Sequence, residues 1–309
     1  MKQALFSLPK RWINSIQAVI FSSLFALSTA ANEPISQSKE RFVTLDWAIA
    51  ETLTALGEKP ITFGDAKDYN RWTNGASLPK HIQDVEIHLE ANPTQISLIY
   101  PSLKGKSFTF INSSLYTQAT PLLKKQAQKV EVIRFFHDGD AWINIIDATK
   151  RISEIIHKPD AFEVLLTQYS HTINKISPLM EPYLDRPIAL VQFIDSSHLR
   201  IYAQNSHFGS VLKQLGFKNA WQGSYNHWGF ETIEVSQLSQ LAKNSRIVVI
   251  KPLPSNVAMA MKYNVLWQKL DMARDPLILP DIWTLGGIPS AQRFAEAFSH
   301  ALIHGGEAW

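Results

Sequence analysis

The sequence predicts an α/β chain of two lobes, each built on a small, mostly parallel sheet, with one long α-helix joining them. Two observations carry that prediction. Short β-branched and aromatic runs alternate with segments that are apolar at helical spacing, and they do so in both halves of the chain. Between the halves lies a helical stretch over 158–182 whose exit is bracketed by Pro182 and Pro187. No repeat of 20 to 50 residues points to a solenoid instead. The expected organisation is a signal peptide over 1–30, an N-terminal α/β lobe over 31–157, the linking helix over 158–182 and a C-terminal α/β lobe over 183–309.

At the N-terminus, Lys2, Lys10 and Arg11 precede an apolar run over 16–27 that ends in Ser28-Thr29-Ala30-Ala31, the pattern of a cleaved secretory signal. The run is short for a membrane span, and no later segment offers 18 uninterrupted apolar residues. Arg41 to Leu45 then reads as a strand, and residues 48–56 as a helix closed by Gly57. Further strands are expected at 61–63, 108–111 and 130–135, with 96–100 as part of a helix before Pro101. Residues 141–157 place Trp142, Ile145, Ile152 and Ile156 near helical spacing, and Lys158-Pro159 opens the longer helix. The second half repeats the plan, with strands near 188–193, 199–202, 246–250 and 277–279 and helices near 211–215, 257–270 and 291–303.

Composition narrows the function. Removal of the leader takes lysine plus arginine from 30 to 27, against 27 acids, so the mature chain is formally neutral and nothing in it favours nucleic acid. The chain has no cysteine, which excludes a disulfide framework, thiolate chemistry and a lipid-modified cysteine at the cleavage site. An exported, unanchored and monomeric chain of the periplasm is the expectation.

The segment Asn219-Ala220-Trp221-Gln222-Gly223-Ser224-Tyr225-Asn226-His227-Trp228-Gly229 places three aromatic rings among turn-forming residues, where rings either fold onto their own domain or face a ligand. Other aromatics recur at strand exits and in loops: Trp47, Trp72 in Asp68-Tyr69-Asn70-Arg71-Trp72, Tyr116 and Trp283. Ligand sites of open α/β sheets gather at strand ends, so an aromatic-lined cleft for a bulky, uncharged, partly apolar ligand is expected.

These residues, in this order, resemble the periplasmic ferric-hydroxamate (ferrichrome) siderophore-binding proteins, within the helix-linked class of ABC-transporter substrate-binding proteins. The resemblance is carried by Leu45-Asp46-Trp47 with 51–57, by Tyr69-Asn70-Arg71-Trp72, by Leu78-Pro79 before Asp84-Val85, by Asn219-Ala220-Trp221-Gln222-Gly223 with Asn226-His227-Trp228-Gly229, and by Ile282-Trp283. It implies that Trp47, Trp72, Trp228 and Trp283 wall a shallow cleft. It also implies that iron(III) arrives inside the siderophore chelate, with no protein ligand and no resident cofactor. An inner-membrane ABC permease would be the partner.

Two departures stand out. Where the resemblance implies an arginine reaching the hydroxamate oxygens, this chain has His88, so a charged fork becomes a single donor unless Arg71 or another group replaces it. The implied tyrosine is matched loosely by Tyr116, with Asn112, Ser113 and Ser114 as alternative donors. Exposed acids that would dock the permease are replaced by Thr94 and Leu238, leaving Glu90, Glu231 and Glu234 as substitutes nearby. Two alternatives remain open: a haem or corrinoid carrier of the same fold, and an exported carbohydrate-active enzyme using carboxylates among Asp46, Asp281 and Glu231. The pairs His300/His304 and His227/Glu231 lack a third ligand for a metal site.

Overall fold

A computed structural model of the 309-residue chain describes residues 40–64, 82–84, 94, 97, 99, 103, 107–125 and 127–309. The leader over 1–30 lies outside the described residues, as do Arg71, Trp72, His88 and Glu90. Among the described residues no helix is long and apolar enough to cross a membrane.

The first sheet is wholly parallel, in the order β3-β2-β1-β4-β5. Its strands are β1 (Arg41–Thr44), β2 (Ile61–Gly64), β3 (Ile82–Asp84), β4 (Phe108–Ser113) and β5 (Lys129–Ile133). β4 is buried along its whole length, as a parallel strand covered on both faces must be. Helix α1 (Trp47–Ala55) follows β1 at once, because one Asp46 carboxylate oxygen accepts from Ala48 N at 2.7 Å and Ile49 N at 3.1 Å. Gly57, at φ +76°, takes the left-handed turn that ends it. After β4 comes a single turn of α2 (Thr120–Lys124), and after β5 helix α3 (Ala141–Ile155), capped by Asp140. Thr94, Ser97, Ile99 and also Leu103, beyond Pro101, are helical.

Helix α4 (Pro159–Met180) is the long connector. Lys158, just ahead of it, donates to Gly57 O at 2.8 Å and pairs with Glu58 at 2.6 Å, so the start of the connector is tied to the end of α1. Pro178 lies in its last turn, and the turn Glu181–Tyr183 ends it near the proline expected there.

The second sheet runs β10-β9-β6-β7-β8, from β6 (Ile188–Phe193), β7 (His198–Tyr202), β8 (Phe230–Glu234), β9 (Arg246–Lys251) and β10 (Leu277–Asp281). β10, β9 and β6 are parallel, whereas β7 is antiparallel to both neighbours. Its helices are α5 (His207–Gln214), α6 (Val257–Tyr263), α7 (Val265–Lys269) and α8 (Ile288–His304). The single helix expected over 257–270 is broken at Asn264, which leaves the helical region and accepts from Trp267 N at 3.0 Å, starting a new helix. One apolar core runs continuously from Phe42 and Ile49 of the first lobe, through Phe162, Tyr169 and Met180 of α4, to Leu190 and Phe294 of the second.

Candidate functional site

The sites of interest lie where the lobes meet. Trp47 opens α1 in the first lobe, and Trp283 follows β10 in the second; their ring centroids are 4.8 Å apart, tilted by 59°. Both indoles are half-buried. Trp283 also lines a pocket of about 460 Å³, walled chiefly by apolar groups including Phe193 and Leu253. That pocket sits past the carboxyl ends of β6, β9 and β10, where open parallel sheets place their ligands. Its polar lining includes Gln192, Arg200 and Thr284.

A second aromatic group surrounds Trp228. Phe136, in the loop after β5, stacks on His207 at 4.4 Å and 11°, and meets Trp228 at 4.9 Å and 51°. The stack therefore joins the two lobes. His207 is 2% exposed, and its Nδ1 lies 2.7 Å from the Gly286 carbonyl, which can only accept, so Nδ1 carries the proton. Burial holds its pKa down to about 4, against the pull of the Gly286 and Phe135 carbonyls, which favour the cation. Asn205 adds a second tie across the lobes, accepting from Ala141 N at 2.9 Å and donating to Gly139 O at 2.8 Å. The cavity among these groups is small, about 180 Å³.

The loop carrying Trp228 is held by its own sequence. Asn219 is buried, donating to Tyr202 O at 2.9 Å and accepting from Trp221 N at 2.8 Å. Trp221 packs on the second lobe's own core and donates from its indole to Ser224 O at 2.8 Å. Of the three rings in 219–229, this one thus faces its own lobe. A side chain at Gly223 would come within 2.5 Å of that indole, which explains the glycine. Gly229 sits at φ +81° and against Ser206, where a Cβ would fall 2.5 Å from Ser206 Cα. Only glycine lets the chain turn there and present Trp228. Tyr225 is 47% exposed.

Tyr116 is buried. Its ring is 8% exposed and packs in the first lobe's core with Val43, Phe110 and Leu123, and burial, with the nearby Asp46 charge, pushes its hydroxyl pKa up. Asn112 is engaged as well, donating to Tyr116 O and Thr120 Oγ1 at 2.9 Å each. Ser113 donates to Asp46. Glu231 accepts from Ser224 Oγ at 3.2 Å. Glu234 has a structural task, sharing a capping box with Gln237 at the turn Val235–Gln240, in which Leu238 is fully buried. His300 and His304 are exposed neighbours, and no group of three metal-ligating side chains occurs among the described residues.

Sequence reasoning missed Phe136, His207 and Glu51. Glu51, on α1, is 5% exposed and crosses between the lobes: Gly287 N donates to it at 2.7 Å, Ser290 Oγ at 2.8 Å, and Arg293 pairs with it. Its carboxylate sits at the N-terminus of α8, where the helix dipole favours an anion. Burial also raises the Asp46 pKa, opposed by its bonds from Ser113, Ile49 and Ala48. That carboxylate is spent on capping α1.

Two lobes of this construction, with aromatic contacts where they meet and an apolar pocket beside Trp283, define a helix-linked binding fold. A family model, "Periplasmic binding protein", matches residues 42–274, and the chain belongs to that family. It is accordingly a binding protein and not an enzyme, which removes the carbohydrate-active reading of Asp46, Asp281 and Glu231. Over 290 residues the chain is 27% identical to the iron(3+)-hydroxamate-binding protein FhuD of Escherichia coli K12, covering 92% of this chain and 93% of that one. Its fold matches the desferal-bound siderophore-binding protein FhuD of Vibrio cholerae with a TM-score of 0.75 at 20% identity, over 87% of this chain and all of that one. It also matches the triscatecholate siderophore-binding protein FeuA of Bacillus subtilis with a TM-score of 0.66 at 13% identity, over 87% and 94% of the two chains.

Proposed function

We propose that this chain captures a ferric siderophore bearing hydroxamate groups and delivers it to an inner-membrane ABC importer. The observation that carries the reading is the indole pair Trp47/Trp283, drawn from opposite lobes beside an apolar pocket of about 460 Å³. Small-molecule sites occupy roughly 300–1,000 Å³ and are mostly apolar with a few placed polar groups. The carbon skeleton of an iron chelate, with the metal charge enclosed by oxygen, packs on such indole faces. The similarity to the iron(3+)-hydroxamate-binding protein of Escherichia coli supports hydroxamate. In this reading Trp47, Trp283 and Trp228 contact ligand, Trp72, Arg71 and His88 complete the cleft, and iron needs no protein ligand. The leader over 1–30 is removed on export, and the mature chain works as a periplasmic monomer with lobes over 31–157 and 183–309 joined by 158–182. Glu231, with Glu90, offers the permease an acid; Glu234 is less suited because its carboxylate is committed to a cap.

The test is tryptophan fluorescence of the mature protein, titrated with ferric trihydroxamates, a ferric tricatecholate, a mixed catecholate-hydroxamate, haem and cobalamin. Saturable quenching confined to hydroxamate-containing chelates is expected. Quenching by haem or cobalamin alone would overturn the ligand while keeping the fold.

A further inference from the structure

The pocket beside Trp283 is lined by a cation with no counter-charge among the described residues. Arg200 lies in the middle of β7, half-buried, and forms no ion pair among the described residues. Its guanidinium instead rests over the Phe230 ring, 4.9 Å from the centroid, and touches Tyr202. Strand alternation explains the placement. Leu199 and Ile201 point to the second lobe's inner core, so Arg200 and Tyr202 point to the opposite face, with Gln192 of β6 and Thr232 of β8 directly across from Arg200.

Gln192 lines the same pocket and is 5% exposed. Its Oε1 accepts from the Tyr202 hydroxyl at 3.1 Å, and its Nε2 has no partner among the described residues. A buried amide donor left unbonded is costly, and an arginine beside apolar walls without a counter-charge is disfavoured for the same reason. Adjacent in register, the two groups offer up to seven N–H donors and only the occupied Gln192 oxygen as acceptor. A ligand edge made of oxygen acceptors is the complement of such a wall.

We infer that Arg200, with Gln192 beside it, is the specificity-determining donor pair of this pocket, reading the oxygen edge of an iron chelate while Trp283 and Phe193 take its carbon skeleton. The inference rests on the siderophore reading and refines it, assigning the recognition of chelate oxygens to the second lobe. Because the guanidinium has no counter-charge among the described residues, a chelate with net negative charge gains more from Arg200 than a neutral one of equal shape.

The experiment uses the mature full-length protein and measures, by calorimetry, the affinity of a neutral ferric trihydroxamate and of an anionic ferric catecholate-hydroxamate for wild type, Arg200→Met, Arg200→Lys and Gln192→Leu. Methionine keeps an unbranched apolar stem at the site without the charge, and thermal melting checks folding independently. The expected result for Arg200→Met is a loss of roughly 10- to 150-fold for the anionic chelate and a smaller loss for the neutral one, from a charge-assisted hydrogen bond of ordinary strength. Arg200→Lys should recover part of the charge preference, and Gln192→Leu should weaken both chelates alike. Wild-type affinities in a folded Arg200→Met protein would overturn the inference and leave the siderophore reading standing. Failure of the wild-type protein to bind any ferric chelate would overturn both.

Discussion

Replacing Glu51 by alanine tests whether the two lobes are bolted together through one carboxylate. Glu51 leaves α1 in the first lobe, is 5% exposed, and receives Gly287 N at 2.7 Å, Ser290 Oγ at 2.8 Å and the guanidinium of Arg293. The Arg293 side chain is itself only 25% exposed. Truncation strands that cation and leaves the Gly287 amide without its acceptor at the start of α8. Breaking a buried pair from one side costs about 3–5 kcal/mol, because the remaining charge is uncompensated. Part of that is relieved here, since Arg293 can reach solvent, so about 3 kcal/mol is the expected loss for Glu51→Ala. Glu51→Gln keeps an acceptor for Gly287 and should lose about half as much. Urea unfolding at neutral pH supplies the measurement, and a cycle with Arg293→Met should return a coupling of 1 kcal/mol or more, at the level expected for contacting groups in one network. A loss below about 1 kcal/mol for Glu51→Ala would refute the reasoning, since the carboxylate would then be no more than a surface pair.

Three further outcomes follow from the same geometry. The His207 pKa is held down to about 4 in the folded protein, against an ordinary value of 6.5, so between these values the unfolded chain binds more protons. Stability should therefore fall as pH drops from about 6.5 to 4, by about 3 kcal/mol over the window, and His207→Gln should flatten that slope in acid-denaturation curves. Trp283→Ala and Trp228→Ala should each weaken ligand binding by about 1–3 kcal/mol by titration; unchanged affinity in both would return the indoles to packing. Small-angle scattering of free and loaded protein should give radii that agree within an ångström, and a change of several ångströms would exclude a rigid cleft.

What could be read from the sequence divides along the range of the interactions involved. Strands β1, β4, β6 and β9 were legible as short apolar runs, and helices α1, α3 and α4 as apolar residues at helical spacing, with stop signals such as Gly57 after α1 and Pro182 after α4. The three-residue β3 is too short to show a period, and β8 was hidden because its burial alternates weakly behind Trp228 and Gly229. Trp47 and Trp283 could be nominated from their strand exits, but their contact could not, since it joins positions 236 apart in sequence. The burial of Tyr116 was not legible, because a tyrosine in a polar loop looks exposed until the turn Ser114–Ala119 folds it onto Val43 and Phe110. Glu51 was lost among the apolar residues of α1: the partners that make its burial tolerable lie at the other end of the chain. Arg200 did leave a trace, a charge between Leu199 and Ile201 of β7, on the face that strand alternation turns away from their core.

The distribution of ties determines how such a cleft can discriminate. The bonds from Glu51 of α1 to the start of α8, the Phe136/His207 stack and the Asn205 bonds join the lobes at separate places, while the core passes unbroken through α4. Opening the lobes widely would expose that core and break all three ties together, a cost far beyond what one small ligand returns on binding. Selection cannot then come from a closure that remodels the site around each ligand. It must come from walls already in place, where the few polar groups facing apolar surface set which chelates fit. Arg200 and Gln192 have that position in the second lobe, and a rigid frame makes their directional bonds more discriminating, because a ligand with the wrong edge cannot draw them elsewhere.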